Sequence, residues 1–563
     1  MKLLRPLIAL LLVAIVIVAV WLWWATPTPV DMANYAPADS LVYVEFNNLS
    51  EVAQAIQRTD VWQAAVPITH SQASDSSRVM TTAARAGIGP LEAVLFARAQ
   101  VALAVVGLST SEENDTLKVR PEIALIAETH TSSWRTKRAA VEAVKQLAGL
   151  AYGASACSER GSDNVDYVEC SVAGAERKLI GAVDGTLVVI GNSDNAIKSV
   201  LDVRRGNRPS IRTDPELLKV RDSVKAEKSL AFGYVSPANS AKLFSWAAPL
   251  LMGQAPGDRQ LEQLLAASAG KILRGVAWTA SSVEGKIEDR FLFSLEPGVV
   301  SRLEPAFETA GSDENFWKVV PESFQSLTIY RNKAPGAAWS SFVSAFAFKL
   351  DAVPAVIFGS LLQSSLSVYG ISNPREALAA LSPPLLTLRP SAGAEGSILV
   401  ARVVDEARLR QSLVQEIFKD GRGEILEGLQ SSPSADREFS AVFADGYVLV
   451  GKSENMKSAL AALRSSETSV AEKRKDLQAS SATIVTYAND EARLSNFITA
   501  LLTLQGRQLS GEERAGLEDI FQRAGFSTTE TRLNAQGIER TTRSAFGQFG
   551  TFVSLLQSDN ATR

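Results

Sequence analysis

Histidine and cysteine are nearly missing from this chain, with two of each among 563 residues. So few imidazole and thiolate donors exclude a zinc centre of the usual four-ligand kind. His70 and His130 are also the only imidazole bases a serine triad could use, and no Gly-x-Ser-x-Gly elbow accompanies them, so each reads as a surface or loop residue. A dinucleotide fingerprint is lacking too. Ser268-Ala269-Gly270-Lys271 ends in Gly-Lys, but no glycine stands five residues before Gly270 and Ile272 replaces the Mg-binding hydroxyl, which excludes a phosphate loop. Charge of one sign is equally scarce: 57 Lys and Arg against 61 Asp and Glu leave a formal charge of −4. Neither a nucleic-acid footprint nor an acidic tail is expected from that balance. The basic runs Arg204-Arg205-Gly206-Asn207-Arg208 and Lys473-Arg474-Lys475 lack interleaved aromatics and read as solvated faces. No cofactor is expected.

What the chain does have, at its start, is a long apolar run. Leu7 to Trp24 is uninterrupted by any polar residue and, at about 1.5 Å per residue, would make a helix of roughly 27 Å, close to the hydrocarbon core of a bilayer. Lys2 and Arg5 precede it, whereas Pro6 to Gln57 contains no Lys or Arg. This bias predicts a signal-anchor with the N-terminus in the cytoplasm and the body outside. Trp21, Trp23 and Trp24 stand at the outer end as interface aromatics. Cleavage as a secretory signal is the competing reading, but small residues at a cleavage site are missing. Residues 26–38, with Pro27, Pro29 and Pro37, read as a semi-rigid spacer.

The body reads as an internal duplication. Ser40 aligns with Ser326, Pro90 with Pro374, Ile123 with Ile398, Asp184 with Asp445, and Tyr234 with Tyr487, in unbroken order and with steadily falling spacing. The clearest block sets Asp184–Leu201 against Asp445–Leu460: an Asp-Gly turn, a short apolar strand, a glycine, then Ser193 or Ser453 positioned to cap a helix. A further helix is expected from about Ser133, burying Trp134, Val141, Val144 and Ala148, and another after Asp405. Hairpins are expected around Gly285 and Gly537. The resulting expectation is an α+β chain: an N-terminal transmembrane helix (1–25), a spacer (26–38), a first copy (39–296), a linker (297–315) and a second copy (316–563). Each copy is expected to hold an antiparallel or mixed sheet with helices on one face.

Cys157 and Cys170 flank a turn-forming stretch, so a cross-hairpin disulfide is geometrically plausible in an oxidising compartment, contributing on the order of 3 kcal/mol. Ser268 and Lys271 have Ser-x-x-Lys spacing, a pattern of two common residues that offers a hydrolase reading and little more.

Tyr35-Ala36-Pro37-Ala38-Asp39-Ser40-Leu41, followed by Thr59-Asp60-Val61-Trp62 and preceded by an apolar segment, resembles the start of the outer domain in an uncharacterised family of bacterial envelope proteins. The resemblance is strongest over residues 1 to 65. It implies an envelope location, periplasmic or extracellular, and supplies no catalytic residue. Three functions stay open: a non-catalytic binding or scaffold module with an envelope protein partner, a carrier for lipid or another apolar ligand, and a hydrolase.

Overall fold

The computed structural model describes residues 28–555 except 47, 70–97, 114–115, 153–155, 173–177, 241–242, 244–269, 312–315, 318–319, 322–323, 395, 414–423, 435–436, 466–479, 505–508 and 525. The first half carries β1 (Val42–Phe46), β2 (Gln100–Glu113), β3 (Thr116–Glu128), β4 (Ala156–Ser162), β5 (Val165–Ser171), β6 (Lys178–Asp184), β7 (Leu187–Gly191), β8 (Ala231–Val235), β9 (Leu273–Val283) and β10 (Lys286–Leu295). The second carries β11 (Ser326–Tyr330), β12 (Leu381–Arg389), β13 (Ile398–Val403), β14 (Glu424–Leu426), β15 (Leu429–Pro433), β16 (Phe439–Ala444), β17 (Tyr447–Lys452), β18 (Ile484–Asn489), β19 (Phe526–Asn534) and β20 (Gly537–Ser544).

Every pairing among these strands is antiparallel, and together they form one sheet. In the first half the spatial order is β4-β5-β6-β7-β3-β2-β1-β8-β9-β10. It continues across β10–β20 into β20-β19-β18-β11-β12-β13-β17-β16-β15-β14. The second order is the first one reversed, with each strand replaced by the strand ten later in the chain.

The expected fold needs three corrections. The two halves do not hold separate sheets, because β10 and β20 present bare edges that satisfy each other's N–H and C=O groups over eight paired residues, Ile287–Ser544 through Ser294–Gly537. Nor do helices keep to one face. Strand β7 is buried on both sides: Val189 joins the core under helix Asp194–Arg204, while Val188 and Ile190 join the core under helix Ser133–Tyr152. A run apolar at every position, such as Leu187-Val188-Val189-Ile190, needs cover on both faces. Third, the expected transmembrane helix is not found: among the described residues no helix is long and apolar enough to cross a membrane. The longest, Ser133–Tyr152, is amphipathic and buries only one stripe, Ala140, Val144 and Ala148. Leu7–Trp24, with Trp21, Trp23 and Trp24, lies outside the described residues.

Smaller expectations shift as well. Trp134 is 61% exposed, with the Arg135 guanidinium 5.6 Å from its ring, instead of facing inward. From residue 31 on, the spacer turns into a short 3-10 helix, Met32–Asn34, with Met32 and Ala33 buried. The linker begins with helix Pro297–Leu303, whose Val299, Val300 and Leu303 are buried.

That linker helix and its counterpart explain why the halves act as one body. Helix Pro297–Leu303, directly after β10, packs on Phe342, Ala345 and Phe346 of helix Pro335–Ala347 in the second half. Reciprocally, helix Gly547–Leu555, after β20, sends Phe549 into a cluster with Val44, Val52, Ala55 and Trp278 of the first. Asp289 of β10, fully buried, accepts bonds from Trp278 Nε1 and from the backbone N–H of Gln548, both at 2.9 Å. A first-half carboxylate thus caps a second-half helix.

A composite cleft and a buried ion network

Of the residues singled out in the sequence, the two cysteines come together and, among the described residues, the candidate catalytic ones do not. Ser268 and His70 lie outside the described residues, and Lys271 Nζ sits 2.7 Å from Asp351 Oδ2 in an exposed ion pair. His130 takes a positive φ of 48° just after β3, and its Nε2 lies 2.9 Å from Gln100 Oε1. Burial lowers its pKa, opposed by Glu128. Cys157 and Cys170 face each other across the β4–β5 pair and are disulfide-bonded. Among the described residues no three His, Cys, Asp or Glu side chains gather as a metal site.

What does converge comes from both halves. Helix Asp60–Thr69 of the first half lies against helices Glu491–Leu504 and Gly511–Arg523 of the second, burying Val61 and Ala65 against Leu494, Phe497, Leu517 and Ile520. The approach is close: a Cβ on Gly516 would stand 2.9 Å from Ile68 Cδ1. Where these helices diverge from the β9–β10 turn, a cleft of about 580 Å³ opens. That is within the range of small-molecule sites. Val61, Ala64, Ile68, Leu494, Ile520 and Phe526 make its apolar wall, and Asp60, Asp490, Asp519 and Lys286 its polar edge. Asp490 is only 6% exposed. Burial raises its pKa, while Arg493, 3.5 Å away, the Ser527 hydroxyl and Lys286 act against that rise.

Comparison of the chain with protein-family models, with curated proteins and with solved structures finds no match.

A second constellation belongs to the first half alone. Tyr43 and Glu45 project from the same face of β1 into the core. Glu45 Oε2 accepts from Tyr43 at 2.6 Å and from Arg221 Nη2 at 2.5 Å, and Arg221 Nη1 reaches both oxygens of Asp31 at 3.0 Å. Arg212 also pairs with Asp31. The Arg221 guanidinium lies 5.4 Å from the Phe232 ring. Burial raises the Glu45 pKa, with Arg221 opposing it, and burial followed by the Glu45 charge raises that of Tyr43. Beside the network a cleft of about 690 Å³ is lined by Asp31, Glu45, Gln100, Arg212 and Arg221. Gln100 grips the chain there, accepting from Val30 N at 2.7 Å and donating to Val30 O at 3.0 Å. Strand register provides an internal control for this network. Tyr43 pairs with Tyr234 and Leu327 with Tyr487, so Leu327 and, two residues on, Ile329 stand where the first half has Tyr43 and Glu45. Both are fully buried. The one sequence signal was a carboxylate inside the apolar strand Val42-Tyr43-Val44-Glu45-Phe46.

Proposed function

We propose that the protein is a non-catalytic binding module whose two copies share the composite cleft as their ligand-facing surface. The observation that carries this reading is that the cleft draws apolar wall and polar edge from both halves at once. Its apolar lining favours a ligand with a substantial apolar body over a purely polar one. A disulfide across β4–β5 suits an oxidising compartment, which supports a place for the body outside the cytoplasm.

The test uses the full chain and a neutral apolar fluorophore such as N-phenyl-1-naphthylamine. Saturable fluorescence enhancement is expected. Ala64 is exposed on the cleft wall, so Ala64→Trp fills the space without disturbing a core, and the enhancement is expected to disappear. Absence of saturable binding, or binding untouched by Ala64→Trp, sinks the reading.

A further inference from the structure

Building on that reading of the composite cleft, we infer that its ligand is an apolar molecule carrying one positive charge, its head placed among Asp60, Asp490 and Asp519. Three carboxylates and a single ammonium, Lys286, edge a pocket whose remaining lining is apolar apart from Ser527 and Ser544. With Arg493 paired to Asp490, three carboxylates against two cations leave one net negative charge at this edge, which an anionic head would meet and a cationic one offsets.

The three carboxylates differ in a way that suits a mobile counter-charge. Asp490 is 6% exposed, and its ion-pair partner Arg493 stands 3.5 Å away with 56% of its side chain in solvent. A buried carboxylate neutralised so loosely gains from a closer cation. The carboxylate of Asp60 takes no hydrogen bond or ion pair from the described residues and lies against Gly285, where a Cβ would come within 2.6 Å of Asp60 Cγ. The backbone N–H of Asp60 donates to Gly285 O at 2.9 Å. That bond ties the start of the first-half helix to the β9–β10 turn and fixes where its carboxylate stands. Asp519 is exposed on the facing helix of the second half. Charge from one half and charge from the other therefore converge on the same mouth, which neither half would build alone.

The experiment compares three single-chain amphiphiles of equal length on the full chain, each below its micelle concentration: dodecyltrimethylammonium, dodecyl sulfate and dodecyl maltoside. Calorimetric titration is expected to rank the cation tightest, with affinity falling as salt is added. Asp60→Asn combined with Asp519→Asn removes two exposed charges and is expected to weaken the cation about tenfold while leaving the maltoside unchanged. A dodecylamine arm asks whether a primary ammonium serves as well as a quaternary one, separating an amine head from a choline-like head. Equal affinity for all three heads, or a preference for the sulfate, overturns the charge assignment, and the apolar cleft survives if Ala64→Trp still abolishes binding. Binding indifferent to Ala64→Trp overturns both.

Discussion

At the scale of single residues, the two halves supply each other's mutant. The fold accepts Leu327 and Ile329 where the first half buries Tyr43 and Glu45, so the Glu45–Arg221–Asp31 network is not a requirement of the sheet. Buried ion clusters are expensive to desolvate and collapse when one partner is removed. Tyr43→Leu with Glu45→Ile is therefore expected to cost about 3–5 kcal/mol, because Arg221 loses its inner partner. Adding Arg221→Leu is expected to recover most of it in a denaturant titration. A triple variant as unstable as the double would mean that the network itself holds the fold. Asp289 yields a prediction of different sign. Burial lifts its pKa from 3.8 to about 6, with Trp278 and the Gln548 N–H acting against that rise. Between those values the folded chain keeps a proton that the unfolded chain has lost, so stability falls as pH rises from about 4 to about 6, by roughly 3 kcal/mol, and levels off above. Asp289→Asn is expected to flatten that part of the pH profile, and an unchanged slope would assign it elsewhere.

At the scale of elements, the disulfide clips an edge. Strand β4 is exposed along its whole length and, among the described residues, pairs with β5 alone. Reduction is expected to cost on the order of 3 kcal/mol in the hairpin and to leave the core strands intact. Hydrogen exchange checks this: amides of β4 and β5 should lose protection on reduction while those of β1 and β8 keep theirs. What the sequence made legible here was local chemistry. The Ser193 hydroxyl accepts from Ala196 N at 3.1 Å, a cap read from spacing, and Asp405, read only as the start of its helix, accepts from Arg408 N at 3.0 Å. The matching Asp-Gly pairs were aligned one residue out, though. In the second half Asp445 and Gly446 are the two turn residues, at φ 51° and 79°, while in the first Gly185 and Thr186 occupy those places. A two-residue turn with positive φ at both places suits Asp-Gly, whereas one with positive φ at the first place alone suits Gly-Thr, so the same two letters sit one place apart. Ser453 departs likewise: it starts its helix with its hydroxyl 2.6 Å from Ser440 instead of capping. The composite cleft was not legible, because the Asp60 and Asp490 that share it stand in different copies, and no periodicity links them.

At the scale of the whole molecule, the join between β10 and β20 has the form of a two-fold interface. Lys286 and Gly537 open corresponding strands after corresponding hairpins, closed by the pairs Val283–Lys286 and Asn534–Gly537. On that correspondence Arg290 matches Thr541, and these two residues face each other at the middle of the join. A residue opposite its own counterpart marks an axis, which is how a self-complementary dimer interface is built. The reciprocal packing of helices Pro297–Leu303 and Gly547–Leu555 onto the opposite half obeys the same symmetry. Residues 28–303 alone would therefore bare β10 and are expected to pair with a second copy through it. In such a pair Arg290 would oppose Arg290, a like-charge contact that the fused chain avoids by carrying Thr541. Arg290→Thr is thus expected to tighten association of the isolated half several-fold by sedimentation equilibrium. A half that stays monomeric even with the Arg290→Thr substitution would show that the join carries no binding energy of its own, and one that dimerises equally well with and without it would show that Arg290 does not oppose the pairing.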